Sequence, residues 1–373
     1  YIIAKIVNKY EKKKYQLLAI VVFAFMILGS VVGVFEEVML LVPTIIPLAH
    51  TLGWDSMVGL GMSLLAMGFG FSAAITNPFT VVVAQRLSDV PILSGLWLRF
   101  ILFIAIYLAL TIYLIKYAKK IENNPKLSPV YEEDKEAKIN IKAYGSHGNY
   151  SDKNLDGAVK WFISIMVLML IIVIGSSFVE SLSDFTFPII GLLFLIAGVG
   201  SGFVAGNSGK EVLNYFLEGS LGVAPGIILI LMASSVKHII STGGIMDTII
   251  HDASIRISGM SPYLAIIVVY FLIMFLNFFI GSATAKAFVL IPILTPLADI
   301  LEINRQVLVL AFQLGDGFSN VIYPTNPVLL ISLGFSVVSY PKWFKWSIKI
   351  QLLTMLIAIG FLMFAVFIGY GPI

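Results

Sequence analysis

Apolar runs of a length suited to a lipid bilayer constrain this chain more than any motif in it. Leu17 to Val34, Trp97 to Ile115 and Trp161 to Val179 carry almost no ionised side chains, and a helix needs roughly 20 such residues to cross about 30 Å of hydrocarbon. Backbone groups find no water there, so helices or closed barrels are the only choices, and barrel strands would be shorter and alternate in polarity. Composition agrees: 59% of residues are hydrophobic and 12% charged, whereas a soluble domain has about 25% charged. The sequence therefore predicts an all-α polytopic membrane protein. The net charge of +3 is small and its lysines cluster, which suits orientation in a bilayer and gives no reason to expect a nucleic-acid partner. With no cysteine and four scattered histidines, no metal or other cofactor is expected. No nucleophile or cofactor motif suggests an enzyme. Gly206-Asn207-Ser208-Gly209-Lys210 lacks phosphate-loop spacing and reads as a cytoplasmic turn.

The chain also resembles itself. Pro292 stands 249 positions after Pro43, and the same offset pairs Pro47 with Pro296, Leu52 with Leu301, Gly68-Phe69 with Gly317-Phe318, and Thr76-Asn77-Pro78 with Thr325-Asn326-Pro327. Two prolines and a polar triplet at one constant offset indicate an internal duplication. The second copy is preceded by hydrophobic segments, beginning near Trp161, that have no counterpart in the first, so N-terminal scaffold helices are expected to be missing before Tyr1.

The duplication divides the chain. Residues 1–118 read as the transport half of the first repeat, with a re-entrant hairpin at 15–52, a broken helix at 54–88 and a helix at 94–118. Residues 119–160 read as a polar cytoplasmic linker and 161–260 as scaffold helices of the second repeat. Residues 261–373 read as its transport half, with a hairpin at 262–300, a broken helix at 304–338 and a final helix at 343–370. Hairpin tips are expected at Gly29-Ser30 and Gly281-Ser282. A hairpin, in place of a full crossing, keeps Lys9, Lys12, Lys13 and Lys14 on the side of the linker lysines, the cytoplasmic side by the positive-inside rule. Crossings near 161–178, 187–204 and 222–250 then bring the second hairpin in from the opposite face, which makes the repeats inverted, and Lys342, Lys345 and Lys349 return to the cytoplasm.

Proline removes an amide donor and disfavours helix in the residue before it, so each broken helix should part at Pro78 and Pro327. Such a break frees backbone groups tolerated at membrane depth only beside protein or a cavity, while Thr76, Asn77, Thr325 and Asn326 add neutral donors and acceptors for a substrate carboxylate. A single triplet reads equally well as a repaired kink; two in register favour a site. The small residues of the tips place Ser30, Ser282 and Thr284 among the candidate substrate-binding groups, although helix packing also selects small residues. Glu36, Glu37 and Lys286 lie beside the tips, with Lys286 opposite Glu37 at the repeat offset. Ionised groups at that depth cost roughly 2.5–3.5 kcal/mol each, so they bind substrate or pair as a structural bridge. Asn320 joins the substrate set, and Asp316, Asn77 and Asn326 form the coupling-ion set. Lys237 and His238 interrupt an apolar run, and Asp247, His251, Asp252 and Arg256 read as an interfacial face.

The stretches VFEEVMLLVPTIIPLAHTLGWDSMVG, ITNPFTVVVAQ, SATAKAFVLIPILTPLADI and VLAFQLGDGFSNVIYPTNPVLLISLG resemble the YfcC family of bacterial membrane proteins. That family is part of the ion transporter superfamily, which includes anaerobic C4-dicarboxylate carriers and divalent-anion/sodium symporters. The resemblance covers nearly the whole chain. It implies an elevator-type secondary transporter of the bacterial inner membrane, a homodimer, whose moving domain holds Ser30, Ser282, Asn77 and Asn326. It also implies a small-molecule substrate and sodium or proton coupling. Glu36-Glu37 replaces the Ser-Asn-Thr of the dicarboxylate branches at the first tip. Relatives of the YfcC family include arginine/ornithine antiporters, and carboxylates near the site suit a basic amino acid. The alternative is an ion-coupled C4-dicarboxylate or other organic-anion carrier using Lys286.

Overall fold

The computed structural model describes residues 13–36, 38–136, 152–176, 186–220, 235, 239, 242–244, 248, 251–252 and 255–372. Glu37, Lys9, Lys12, Lys237, His238, Asp247 and most of the crossing expected at 222–250 lie outside them. Along the chain run α1 (Lys14–Val32), α2 (Val38–Thr51), α3 (Ser56–Ser72), α4 (78–87), α5 (Leu96–Asn123), α6 (Asp152–Ser176), α7 (Thr186–Val204), α8 (209–220), α9 (Pro262–Asn277), α10 (Ala283–Ile300), α11 (Arg305–Gly317), α12 (Pro327–Gly334) and α13 (Tyr340–Phe367). Every regular element among the described residues is helical. Lys14–Val32, Leu96–Asn123, Ala283–Ile300 and Tyr340–Phe367 are long and apolar enough to cross a membrane. The polar linker is shorter than its composition suggests: α5 continues through Lys119 to Asn123 and α6 begins at Asp152, since lysine and glutamate are good helix formers once a helix is under way.

The chain forms two compact units. In one, comprising Tyr1–Glu11 and Glu132–Pro225, α6 and α7 pack together and the Trp161 indole donates to the Ile196 carbonyl at 3.2 Å. Gly206 to Ser208 is a turn closed by a capping box: Ser208 N donates to Glu211 Oε2 at 2.7 Å and Glu211 N to Ser208 Oγ at 3.4 Å. The backbone and hydroxyl donors of Ser208 hold the Glu211 carboxyl below its ordinary pKa.

The second unit, Lys12–Tyr131 with Gly226–Ile373, contains both copies of the duplication. Its helices start in the repeat register. Asp55 caps α3 by accepting from Val58 N at 2.9 Å, and Asn304, its counterpart, caps α11 by accepting from Gln306 N at 2.9 Å. Asn77 and Asn326 likewise cap α4 and α12, each followed by proline in the first turn, where a missing amide costs nothing. Before the first pair of caps the backbone turns left-handed at both Gly53 (φ +90°) and Glu302 (φ +55°). Only glycine takes that conformation freely. Glu302→Gly is therefore expected to stabilise the protein by about 1 kcal/mol, read as a higher unfolding midpoint in detergent; no change would mean that the glutamate side chain offsets its backbone strain.

The duplicated Gly-Phe pairs meet each other. A Cβ added at Gly68 would collide with Val321, and one at Gly317 with Ser72, whose Cα lies 2.5 Å from the added carbon. Exchanging the repeats turns one contact into the other. Phe69 and Phe318, equivalent positions, form an edge-on pair with centroids 5.3 Å apart. Helix α5 ties the ends together. At its C-terminal end the Tyr117 and Ser128 hydroxyls donate to Asp55 Oδ2, at 2.6 and 2.7 Å, beside the start of α3. The start of α1 is here too: Lys14 pairs with Glu122, and the rings of Tyr15 and Trp54 lie 6.0 Å apart. At the other end of α5, Ser94 Oγ donates to Gln306 Oε1 at 2.6 Å, beside the start of α11.

The first reversal is not at Gly29-Ser30. Helix α1 runs through both residues as a widened turn to Val32, and the chain turns between Gly33 (φ +78°) and Glu36. Gly29 instead allows close contact with the backbone of Met67 and Gly70 in α3. The second reversal falls at 278–282, around Gly281-Ser282.

Candidate functional site

Two polar centres occupy the places where the helices break. In the first, the end of α1 clasps the break between α3 and α4. The Ser30 carbonyl accepts from the amides of Ile75, Thr76 and Asn77, at 3.1, 3.2 and 3.1 Å. Its hydroxyl donates to the Ala73 carbonyl at 2.9 Å and accepts from Ile75 N at 2.9 Å. Thr76 Oγ1 donates to the Val31 carbonyl at 3.1 Å, and Asn77 Nδ2 reaches the Gly29 carbonyl at 3.5 Å. Three successive amides pointing at one oxygen form an anion-binding nest, here filled by the chain itself. Ser30, Thr76 and Asn77 are thus brought together, and most of their polar capacity holds the tip to the break. Ser30→Ala is expected to cost about 1–2 kcal/mol by leaving the Ala73 carbonyl short of a donor, measurable as a lower unfolding midpoint; an unchanged midpoint would show that the backbone bonds suffice.

The second centre is a buried polar cluster drawn from four segments. Lys286 on α10 and Asp316 on α11 are wholly inaccessible, with Nζ 2.5 Å from Asp316 Oδ1. Lys286 also donates to Asn277 Oδ1, at the end of α9. The Asn277 amide nitrogen lies 2.9 Å from the Asp316 carbonyl, 2.7 Å from Ser319 Oγ and 2.9 Å from Asn320 Oδ1. Asn326 completes the cluster through Nδ2 to Asn320 Oδ1 at 3.1 Å, while its Oδ1 accepts from Val328 N and Leu329 N. One atom is left over: Asp316 Oδ2 is buried with no hydrogen-bond partner among the described residues.

The remaining candidates are not hydrogen-bonded into this cluster. Glu36 is in the turn after α1, within the electrostatic reach of Asp316. Among the described residues the carboxylate paired with Lys286 is Asp316, because α10 and α11 pack side by side and bring the two side chains together; Glu37, a partner expected for a Glu-Lys bridge, lies outside them. Ser282 is exposed and caps α10 by accepting from Ala285 N at 3.3 Å. Thr284 Oγ1 donates to the Phe79 carbonyl at 3.1 Å, joining the second tip to the first break. Thr325 is half-buried in the turn before Asn326, and Pro78 and Pro327 begin the helices after the breaks. Sequence reasoning missed Asn277 and Ser319. Asn277 was detectable as a lone amide in the apolar run from Leu264 to Ile280.

The sequence profile described as C4-dicarboxylate anaerobic carrier, DcuC, matches residues 1–367. The chain belongs to the DcuC family. Within it, the chain is 30% identical over 342 residues to YfcC of Escherichia coli (strain K12), whose assignment as a basic amino acid antiporter is provisional; the match covers 85% of this chain and 63% of YfcC. It is 26% identical over 321 residues to an uncharacterized protein of Haemophilus influenzae, covering 85% of this chain and 61% of that one. The chain thus spans less than two thirds of the length of these two relatives. The crystal structure of the YdaH transporter of Alcanivorax borkumensis aligns over 95% of this chain and 79% of its own, at 17% identity and a TM-score of 0.50, a likeness of fold. DcuC is a transporter family, and the several apolar helices make this member a multi-pass membrane protein. Chemically, the buried cluster of the DcuC-family chain offers a carboxylate oxygen and amide groups, an arrangement that can receive a cationic or hydrogen-bonding ligand without covalent chemistry.

Proposed function

We propose that the protein is a secondary active transporter of the bacterial inner membrane that exchanges basic amino acids, such as arginine for ornithine. Its proposed mechanism is an elevator in which the hairpins and broken helices move together. The observation that carries the substrate class is the unpartnered Asp316 Oδ2 inside the buried cluster. A substrate cation would supply the missing partner, whereas an anion would have to displace Asp316 from a lysine it already neutralises. The provisional assignment of YfcC as a basic amino acid antiporter supports the same class. An inverted repeat is supported by the exchange-symmetric contacts of Gly68 and Gly317, and by α3 and α11 starting at opposite ends of α5. The two hairpins, the scaffold helices at 161–260, a homodimer, and sodium or proton coupling complete this reading. Glu36, Glu37 and Asp316 would meet the substrate cation or coupling ion, with Asn320, Asn326, Thr325 and Asn77 orienting the rest.

The description of the family as C4-dicarboxylate carriers and the presence of Lys286 in the cluster favour a second reading, an organic-anion carrier. Uptake into proteoliposomes of the full-length protein separates the two. Labelled arginine should accumulate only when ornithine is inside. Succinate uptake driven by an ion gradient, with no arginine exchange, would overturn the basic amino-acid reading.

A further inference from the structure

Arg99 lies in the first turns of α5 and is wholly inaccessible, and Nε, Nη1 and Nη2 all lack a hydrogen-bond partner among the described residues. Side chains on a helix lean toward its N-terminus, so the guanidinium is carried toward Gly95, one turn earlier, where α5 begins without a side-chain cap. Tyr370 closes the same corner. Its hydroxyl donates to the Gly95 carbonyl, its ring leaves no room for a side chain at 95, and it meets the Trp97 ring edge-on at 6.0 Å. Next to it, Gly371 abuts Gln306, whose Oε1 accepts from Gln85 Nε2 at 3.0 Å and from Ser94 Oγ at 2.6 Å, while its Nε2 is buried and unpartnered. Burial pushes the Tyr370 phenol up to about 12 against the opposing charge of Arg99, which places the two groups within each other's field.

The unsatisfied groups of Arg99 and Gln306 are all donors. The acceptors of the corner, the Gly95 and Ser94 carbonyls, Gln306 Oε1 and the Tyr370 hydroxyl that faces Arg99 and Gln306, each already take part in a hydrogen bond. A buried guanidinium beside uncapped helix amides is a combination suited to an anion. We propose that this corner is a phosphate oxyanion site, gripped in bidentate fashion by Arg99 and assisted by Gln306 Nε2 and the first amides of α5, and that an anionic phospholipid supplies the phosphate. The assignment to a lipid rests on the transport reading proposed above, because a transporter's substrate site lies near the membrane midplane and that reading puts the site at the Lys286–Asp316 cluster. Gln306 precedes Asp316 by ten positions on one helix, about 15 Å, which is half of a hydrocarbon core of about 30 Å and therefore headgroup depth. The outward residues beside the corner are apolar and exposed, Ile92, Leu93, Trp97, Phe100 and Ile101, as a lipid-facing belt requires.

The test uses delipidated full-length protein in detergent, with thermal unfolding and native mass spectrometry as readouts. Phosphatidylglycerol is expected to raise the unfolding midpoint and to remain bound as an adduct, and a glycolipid without phosphate to do neither. Arg99→Gln should lose both effects; Arg99→Lys, which keeps the charge but not the fork, should weaken them. If Arg99→Gln does not fold, Arg99→Lys and Gln306→Leu carry the comparison. Protection by inorganic phosphate equal to that by the lipid would uphold the oxyanion site and overturn the lipid as its source. No shift and no adduct with either probe would overturn the site. Neither readout involves transport, so failure of the transport reading in the uptake assay is distinguishable from failure here.

Discussion

Replacing Lys286 with methionine is expected to lower stability by about 3–5 kcal/mol, the cost of leaving one member of a buried ion pair alone, and to abolish uptake. Lys286 and Asp316 are both wholly inaccessible, so no water can take over the role of the lost partner. The double variant Lys286→Met with Asp316→Asn should regain most of the stability, because replacing both charges of a buried pair is close to neutral. It should not regain uptake, since the carboxylate proposed to meet the substrate cation is gone. Thermal unfolding and arginine exchange, measured on the same preparations, separate the two roles. A single variant that unfolds like the parent would mean that the pair contributes nothing to the fold, and a double variant that still exchanges arginine would remove Asp316 from the binding site.

The second large effect is expected where the duplicated glycines cross. Gly317→Ala should cost about 1–3 kcal/mol, the usual range for overpacking, and more than Gly68→Ala. The reason lies in what each new methyl group meets: backbone and Cβ atoms of Ser72 at 2.5 and 2.7 Å for Gly317, but chiefly the end of the Val321 side chain for Gly68. Val321→Ala should therefore relieve Gly68→Ala and leave Gly317→Ala unrelieved. Unfolding midpoints of the three single and two double variants decide the matter, and equal costs at the two glycines would show that the crossing relaxes as a whole. Because Gly68 is on α3, which packs against Gly29 beside the clasp, and Gly317 directly follows Asp316, uptake should fall with stability.

Much of the fold was legible because its causes are local. The helix breaks at Pro78 and Pro327 appear where a proline ring removes a donor, and the asparagine before each becomes the cap of the helix that follows. The constant offset also fell on positions that behave alike, down to the caps at Asp55 and Asn304. The first tip was misplaced because Gly29-Ser30 has the composition of a turn while α1 has enough contact with α3 to continue through it; the left-handed turn waits for Gly33, four residues on. The linker boundaries moved for a related reason, since charged residues in the last turns of a long helix extend it into water.

The site divides along the same line. By itself the sequence determined that this is a polytopic helical chain with a duplicated, twice-broken core, because bilayer thickness, proline geometry and capping act over a few residues at a time. It also singled out Lys286, Asp316, Asn320 and Asn326 as polar groups too costly to be idle in apolar segments. Only the tertiary structure decided that Asp316 is the partner of Lys286, that Asn277 and Ser319 join them, and that Ser30 fills the amide nest which a substrate was expected to occupy. An offset pairs residues that play equivalent parts in two copies, whereas an ion pair joins residues that touch. Which residues touch depends on how α9, α10 and α11 pack, and that is set by the shapes of whole helix faces rather than by any short stretch of the chain.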